Sequence, residues 1–210
     1  MSLTEEQKTF FTNSFGDFWS FIEKYDFERD LIFYEMEKEY QQHGIYSIGP
    51  WFGRLINFLV QFGNVKSALE FGTATGYSAI WIAKDLPEGG LLTTIECDRS
   101  RLQLARKNIS KAGLESKIKV REGEAQDIVS TLTQTFDFIF VDCAHFTALE
   151  GSERLLRKGG LFVCDNVGFR NKETFNHALT TCAHLQTLFL QCYLKGRIPE
   201  NTAFSISIKL

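Results

Sequence analysis

The sequence has few of the features that divide or cross-link a chain. Three of its 210 residues are proline, and neither a low-complexity linker nor an internal repeat interrupts it. Its five cysteines are odd in number and form no Cys-x-x-Cys pair, so we expect reduced thiols in a cytoplasmic protein. A single domain over residues 1–210 is therefore predicted.

Membrane and nucleic-acid functions also lack their usual signals. No apolar run approaches the length of a membrane-spanning helix, and the first residues are acidic rather than signal-like. The formal net charge of −3 argues against a dedicated nucleic-acid binder, because phosphate binding needs a clustered basic face. We expect a protein that does not associate with membranes.

Phenylalanine, by contrast, is abundant, with 20 residues, many of them near the N-terminus. Five apolar side chains there recur at helical spacing and form one stripe: Phe11, Phe15, Phe18, Ile22 and Tyr25. We expect a helical N-terminal extension over residues 1–45. It either packs on the domain or on a partner subunit, or forms an aromatic lid over a substrate cleft.

Apolar strands and helices alternate through the rest of the chain. Strands are predicted at Ser67–Phe71, Leu91–Glu96, 117–121, Phe136–Val141 and 161–164. The helices between them are predicted at 77–86, 99–112, Ala125–Thr131 and 148–156. Gly113 and the Gly159-Gly160 pair are expected to end helices before the next strand.

The remaining elements complete the fold prediction. Pro50 opens a helix over 51–62, where proline is accepted in the first turn, and a later helix is predicted over 172–184. Two final strands follow at Leu185–Gln191 and Ala203–Lys209, one of them antiparallel. Near-continuously apolar strands suit a parallel sheet that is covered on both faces. The fold class is therefore α/β, a Rossmann-like, doubly wound, seven-stranded and mostly parallel sheet with extra N-terminal helices.

Residues 68–78 form the pattern of a nucleotide-type cofactor loop. A short apolar strand ends in an acid, a glycine turn follows, and an apolar helix begins. The spacing is Gly72-x-x-x-Gly76 rather than Gly-x-Gly-x-x-Gly. Glu70 would repel a pyrophosphate but suits a cationic amino-acid group. Both observations favour S-adenosylmethionine over NAD as the cofactor.

A second acid follows at the end of the next strand. Glu96 lies where a carboxylate can accept hydrogen bonds from both ribose hydroxyls. An NAD-binding fold would also have an acid here, so Glu96 alone does not distinguish the two cofactors. The absent Gly-x-Gly-x-x-Gly motif does.

Polar side chains also end two later strands. Asp142 ends one, and Asp165-Asn166 end the next, so adjacent parallel strands about 4.8 Å apart bring them together. Two carboxylates and an amide oxygen form an all-oxygen set that favours Mg²⁺, Mn²⁺ or Ca²⁺. The other interpretation is that such aspartates cap the following turn or helix.

In combination, these motifs resemble the cation-dependent catechol and caffeoyl-CoA type O-methyltransferases. The resemblance rests on residues 68–78, 94–96, 123–127, 136–142 and 159–167, and extends over about residues 46–209. It implies a metal site at Asp142, Asp165 and Asn166. Relatives of this type are often homodimers, so it also implies a homodimer. The cofactor residues that it implies are Tyr46, Ile48, Glu70, Gly72, Tyr77, Ser78, Glu96, Ala125, Gln126 and Asp142.

The chain departs from that family three residues after Asp142. The family has a lysine there that helps to remove the hydroxyl proton, whereas this chain has His145. A histidine has an ordinary pKa of about 6.5 and needs less adjustment than lysine to act as a base. We expect His145 and Asp142 to be the catalytic residues. The loop after His145 is also shorter than in the family, and Glu200 is a further candidate at the acceptor site.

The sequence therefore predicts methyl transfer from S-adenosylmethionine to the hydroxyl of a small aromatic molecule with vicinal hydroxyls. Three alternatives remain. The resemblance implies a hydroxyuridine in tRNA as a second acceptor class, since some bacterial relatives of that family methylate one. Eight basic residues within 99–121 are compatible with RNA binding, although that segment also suits a solvated helix face. The replaced lysine and the shortened loop suggest another alternative, a cofactor-binding module without catalysis. An NAD dehydrogenase is the weakest alternative.

Overall fold

A seven-stranded sheet forms the centre of the computed structural model, which describes residues 24–43, 47–143, 148–191 and 203–210. The strand order is β3-β2-β1-β4-β5-β7-β6. The strands are β1 (Ser67–Phe71), β2 (Leu91–Glu96), β3 (Ile118–Glu122), β4 (Phe136–Val141), β5 (Leu156–Cys164), β6 (Leu185–Gln191) and β7 (Ala203–Lys209). Only β7 is antiparallel to its neighbours β5 and β6, so the predicted sheet class is confirmed.

Helices cover both faces of the sheet. Within the described ranges they are α1 (Leu31–His43), α2 (Gly49–Phe62), α3 (Tyr77–Ala83), α4 (Arg99–Lys111), α5 (Ala125–Thr131), α6 (Ala148–Leu155) and α7 (Glu173–Thr181), with a 3₁₀ turn at Arg170–Lys172. Four members of the predicted aromatic stripe, Phe11, Phe15, Phe18 and Ile22, lie outside the described residues. The fifth, Tyr25, lies in a turn and is 53% exposed. None of the described helices is long and apolar enough to cross a membrane.

Side chains from alternate strand positions form two separate cores. Phe138 and Phe140 of β4 point toward α1 to α4 and are fully buried. Ile139 between them points to the other face, where α5 and α7 pack. This two-residue alternation is what a parallel sheet covered on both sides requires, and it explains why β4 is apolar throughout.

Most predicted element bounds agree with the structure, but Gly159 and Gly160 do not end a helix. Both lie inside β5, which begins at Leu156, immediately after α6. The pairing of β4 with β5 shifts register between Phe136 and Phe138, opposite this pair. A Cβ on Gly160 would lie 3.0 Å from the backbone oxygen of Asp137. The glycines therefore allow an irregular, close strand pairing.

Candidate cofactor and metal site

The carboxyl ends of neighbouring strands meet at one edge of the sheet. The amide of Gly72 donates to the carbonyl of Ile95 at 3.0 Å, and the amide of Asp142 donates to the last residue of β1 at 2.9 Å. The amide of Asp165 donates in turn to the last residue of β4, also at 2.9 Å. These bonds fix the register, so the loop after β1 lies beside Asp142, and Asp142 lies beside Asp165. The structure thus brings the backbones of these strand ends together.

Gly72 allows the cofactor loop to pass close to β4. Its φ is +97°, and a Cβ would lie 2.7 Å from the backbone oxygen of Asp142. Any side chain would have to displace backbone rather than a flexible group. Gly76 has a φ of +94° and precedes α3, whose first turn therefore faces the same edge.

The carboxyl group of Glu70 is fully buried in β1. Its Oε2 accepts a hydrogen bond from Thr94 Oγ1 at 2.5 Å, whereas its Oε1 has no partner in the part of the chain that the structure describes. Burial raises the pKa of Glu70 to about 7; the Ser78 and Thr94 hydroxyls oppose the rise, and the charge of Glu96 adds to it. An orphaned carboxylate oxygen in a buried site fits a cationic donor such as the amino group of S-adenosylmethionine.

Two threonine hydroxyl groups connect Glu70 to the cofactor loop by hydrogen bonds. Thr94 Oγ1 also lies 2.5 Å from Thr73 Oγ1 in the cofactor loop. While Glu70 is ionised, Thr94 uses its one proton for Glu70, so Thr73 is then the donor to Thr94. The loop and the buried carboxylate are therefore joined by directional bonds through β2.

Glu96 is held by backbone amides at the end of β2. Its Oε2 accepts from the amide of Ala74 at 2.9 Å, and its Oε1 accepts from the amides of Cys97 and Asp98 at 3.0 Å each. The side chain is 7% exposed. Since a carboxylate oxygen has two lone pairs, Oε2 has capacity for one ribose hydroxyl while it holds the loop.

The metal set expected at Asp142, Asp165 and Asn166 follows β4 and β5. Asn166 Nδ2 donates to Asp142 Oδ1 at 2.8 Å, so two of the three side chains already meet. Asn166 has a φ of 60°, a left-handed conformation that asparagine tolerates better than most residues. Rotation of its amide exchanges nitrogen for oxygen, and the resulting all-oxygen set fits a hard divalent cation.

Acidic, histidine and cysteine side chains alone do not form a metal cluster here: no group of three or more is arranged to hold an ion among the described residues. The predicted set contains only two carboxylates and relies on an amide for its third donor. Its use as a metal site stays a prediction.

A sequence model of the O-methyltransferase family matches residues 27–186. The chain belongs to this family. The matched range includes the cofactor loop, Glu96 and the strand ends that carry Asp142, Asp165 and Asn166.

Individual relatives agree with this assignment. The chain is 40% identical over 128 residues to a catechol O-methyltransferase of Niastella koreensis, covering 58% of both chains. It is 34% identical over 123 residues to caffeoyl-CoA O-methyltransferase 2 of Populus trichocarpa, covering 54% of this chain and 50% of that one. The matches therefore span little more than half the length of these curated relatives.

The fold is shared with solved structures at lower identity. A candidate O-methyltransferase from Klebsiella pneumoniae superposes with a TM-score of 0.79 at 26% identity, covering 90% of this chain and 94% of that chain. The agreement extends over nearly the whole sheet, so the O-methyltransferase fold assignment does not depend on the cofactor loop alone.

Tyr77 and Ser78 of this O-methyltransferase family member begin α3 and are buried. The hydroxyl of Tyr77 donates to Glu37 Oε1 of α1 at 2.6 Å, so the side chain is attached to α1. Burial, together with the Glu37 charge, raises the pKa of Tyr77 well above its usual range.

The other expected cofactor residues take three different positions. Ile48 is 2% exposed just before α2, Ala125 is half-buried, and Gln126 is exposed at the start of α5. Tyr46, His145 and Glu200 lie outside the described residues.

The sequence did not predict that α1 would contact the cofactor loop. Tyr40 and Glu37 of α1 form hydrogen bonds to Thr75 and Tyr77. Thr73 and Thr75 were visible between the two glycines of the motif, but nothing in their spacing named partners so far along the chain.

Proposed function

We propose that the chain is an S-adenosylmethionine-dependent, divalent-cation-assisted O-methyltransferase that acts on a small aromatic molecule with vicinal hydroxyls. The observation that carries this proposal is the shared sheet edge. A buried carboxylate with an orphaned oxygen, a second carboxylate held by three amides, and the Asp142–Asn166 pair all lie at the ends of adjacent strands.

S-adenosylmethionine supplies the transferable methyl group on its sulfonium when bound. Glu70 would accept the amino group of its methionine part, and Glu96 would accept a ribose hydroxyl. Gly72, without a side chain, lets the cofactor loop lie close against the backbone of Asp142, which brings the loop next to the proposed metal residues. These residues orient the donor, and orientation is a large part of what a protein contributes to a transfer between two bound partners.

Asp142, Asp165 and Asn166 are the residues that would hold a divalent cation. A cation bound there would lower the pKa of a coordinated acceptor hydroxyl. His145 is proposed as the base that takes its proton, because it follows Asp142 by three residues, where the family has a lysine. A neutral imidazole can accept that proton near neutral pH.

Small aromatic acceptors are favoured over RNA by the state of the basic residues at 99–121. Arg99 pairs with Glu122 at 2.6 Å, and Lys111 pairs with Glu35 at 2.8 Å. Lys117 donates to the backbone carbonyl of Leu86 at 2.5 Å. Side chains that neutralise acids or bind carbonyls are less available to phosphates. The names of the catechol and caffeoyl-CoA relatives support the same acceptor class.

We also propose a cytoplasmic homodimer. Among the described residues, the cysteines at 97, 164 and 182 are free thiols, as expected in a reducing compartment. The ring centroids of Phe58 and Phe62 lie 6.0 Å apart on α2, and these side chains are 59% and 81% exposed. A second copy of the chain is the occupant that we assign to this aromatic pair, because the resembling enzymes are often dimers.

The test combines binding and turnover. We expect calorimetry to detect S-adenosylhomocysteine binding, and methyl transfer to a catechol-type diol to require Mg²⁺ and stop with EDTA. Asp165→Asn should reduce turnover at least about 100-fold at a fixed Mg²⁺ concentration, by loss of a charged ligand. His145→Ala should lower turnover and remove its pH dependence near the histidine pKa. Glu88→Gln, at the opposite end of the sheet, is the control and should change neither quantity.

Each failure has a separate meaning. No binding of S-adenosylhomocysteine to the wild type would contradict the cofactor assignment, and transfer that survives EDTA would contradict the metal. Full turnover of His145→Ala at every pH would contradict the base. Binding without transfer to a panel of hydroxyaromatics and tRNA would favour the non-catalytic alternative, and salt-sensitive transfer to tRNA alone would favour the RNA substrate.

A further inference from the structure

Helix α1 packs against residues 72–78, the part of the cofactor loop that follows β1. Tyr40 of α1 is 7% exposed, and its hydroxyl forms a buried hydrogen bond with Thr75 Oγ1 in the middle of the loop. Its ring also packs edge-on against Tyr77, with centroids 5.8 Å apart. We propose that Tyr40 is a positioning residue that sets the conformation of this loop, and hence its affinity for S-adenosylmethionine, by acting through Thr75.

Thr75 is held from two sides. Besides the bond to Tyr40, its carbonyl accepts from Asn108 Nδ2 of α4 at 2.9 Å. Thr75 and Asn108 are 6% and 5% exposed, so neither bond is open to exchange with bulk solvent. The loop backbone is therefore clamped between α1 and α4 at a single residue.

The backbone on either side of Thr75 needs such a clamp. Ala74 has a φ of 45° and Gly76 has a φ of +94°, so two left-handed residues flank it. An alanine persists in that conformation only where surrounding contacts fix it. The amide of Ala74 is the group that donates to Glu96 Oε2, the carboxylate assigned to the ribose. A change at Thr75 is therefore transmitted to a residue that would touch the ligand.

A second attachment fixes α1 at the other end of the loop. Glu37 accepts a hydrogen bond from the hydroxyl of Tyr77 at 2.6 Å. It also accepts two from the guanidinium group of Arg29, from Nε at 2.9 Å and from Nη2 at 2.6 Å. The side chain of Arg29 is only 6% exposed. Because Tyr40 and Glu37 lie three residues apart on α1, one helical face contacts Thr75 and Tyr77 together.

The phenol of Tyr40 keeps its proton throughout the working pH range. Burial raises the pKa of Tyr40 above its ordinary value, so the hydroxyl can always take part in the bond to Thr75. The predicted effect of Tyr40 on ligand affinity is therefore independent of pH, unlike that of a titrating group.

The expected size of the effect follows from the strength of one buried hydrogen bond. Its loss lets the loop leave the binding conformation for part of the time, and the apparent dissociation constant rises by the inverse of the remaining fraction. We expect about a three- to tenfold weaker binding, with the turnover rate at saturating cofactor unchanged. This inference rests on the proposed use of S-adenosylmethionine.

The experiment is a double-mutant cycle. Tyr40→Phe, Thr75→Val and the combined variant are titrated with S-adenosylhomocysteine by calorimetry, and amide hydrogen exchange is recorded for residues 72–78. Each single variant should bind about three- to tenfold more weakly and exchange faster in the loop. The combined variant should be no weaker than Thr75→Val, because the two substitutions remove one shared bond.

Glu35→Gln is the matched control. Glu35 also lies on α1, and it joins this helix to Lys111 of α4 through an exposed ion pair at 2.8 Å, without touching the loop. The affinity of this variant for S-adenosylhomocysteine and its amide hydrogen exchange in residues 72–78 should equal those of the wild type. A thermal unfolding curve for every variant separates loss of the fold from loss of the clamp.

Three results would overturn the proposal: wild-type affinity in Tyr40→Phe, additive effects in the combined variant, or an equal loss of affinity in Glu35→Gln. If the wild type itself does not bind S-adenosylhomocysteine, the proposed function is wrong. The exchange measurement then still decides whether Tyr40 orders the loop, since it needs no ligand.

Discussion

The carboxyl group of Glu70 lies at the end of β1 with no solvent exposure, and burial raises its pKa to about 7. Its position could be predicted from the sequence, because an acid that ends an apolar strand before a glycine turn is conspicuous. Its protonation state could not, since that depends on burial in the folded core and on its neighbours Ser78, Thr94 and Glu96. The sequence finds the residue, and only the packing determines its charge.

Glu70 should make the stability of the ligand-free protein depend on pH. The folded protein holds this proton more tightly than the unfolded chain does, so between the two pKa values the folded state binds more protons. The stabilising contribution is complete below the unfolded value, about pH 4.3, and is lost as the pH rises through about 7. Glu70→Gln should remove this part of the decline, measured as the free energy of unfolding in urea from about pH 5 to about pH 8.

The same variant gives an independent check on ligand binding. A cationic ligand beside Glu70 favours the charged carboxylate, so wild-type affinity for S-adenosylhomocysteine should rise as the pH approaches about 7. Glu70→Gln should bind more weakly, with a flatter pH profile. Identical profiles in the two proteins would exclude Glu70 as the partner of the cation.

Tyr77 shows what single-residue reasoning misses. It belongs to the motif and was expected at the cofactor, but its hydroxyl donates to Glu37, 40 positions earlier in the chain. The bond between Tyr40 and Thr75 spans 35 positions. Motif spacing describes local geometry along one loop, and partners at such separations follow only from the way α1 packs.

At the scale of secondary structure, the loop between β1 and α3 depends on the absence of a side chain at Gly72. Gly72→Ala would place its Cβ 2.7 Å from the backbone oxygen of Asp142, in addition to the cost of a φ of +97°. Neither strand can move aside easily, because β1 and β4 are paired in the centre of the sheet. We expect a loss of at least about 2 kcal/mol in the free energy of unfolding, together with weaker cofactor binding.

Gly89→Ala is the control for this prediction. Gly89 has a φ of +75°, but a Cβ there would have no atom within 4 Å. The substitution should therefore cost only the conformational part, about 1 kcal/mol, and leave ligand binding unchanged. Equal losses in the two variants, measured by urea unfolding, would show that the close approach to Asp142 is unimportant.

Element bounds were predicted best where periodicity and turn residues agree. The bounds of β1, β2, β4 and α5 match the sequence prediction. β5 does not, because its early part, Arg157-Lys158-Gly159-Gly160, has the polar and glycine-rich composition of a loop. These residues are extended because β4 lies alongside, and pairing with a neighbouring strand has no local sequence signal.

At the scale of the whole molecule, the proposed homodimer makes a prediction about mass. Helix α2 buries Phe52, Ile56 and Val60 in the core and exposes a second apolar stripe that includes Phe58 and Phe62. If this stripe is the interface, Phe62→Glu should convert the dimer to a monomer, because an unpaired buried charge is costly. Sedimentation equilibrium measures the mass directly.

Leu188→Glu is the matched control for the dimer prediction. Leu188 lies on the edge strand β6 and is 50% exposed, so the substitution introduces the same charge in place of another exposed apolar group. It should leave the dimer intact. A monomeric Leu188→Glu with a dimeric Phe62→Glu would place the interface at the sheet edge, and a monomeric wild type would contradict the homodimer.

The strand order has a consequence for the growing polypeptide. β1 is the first strand of the sheet along the chain, and it lies between β2 and β4. Its neighbour β2 follows soon after it in the sequence, but its other neighbour, β4, comes only at Phe136–Val141. When β1, β2 and β3 have left the ribosome, they can form only one half of the sheet. In that half, the apolar strand β1 has one edge without a hydrogen-bonding partner. Such an edge can pair with any exposed strand nearby until β4 has been synthesised and pairs with β1.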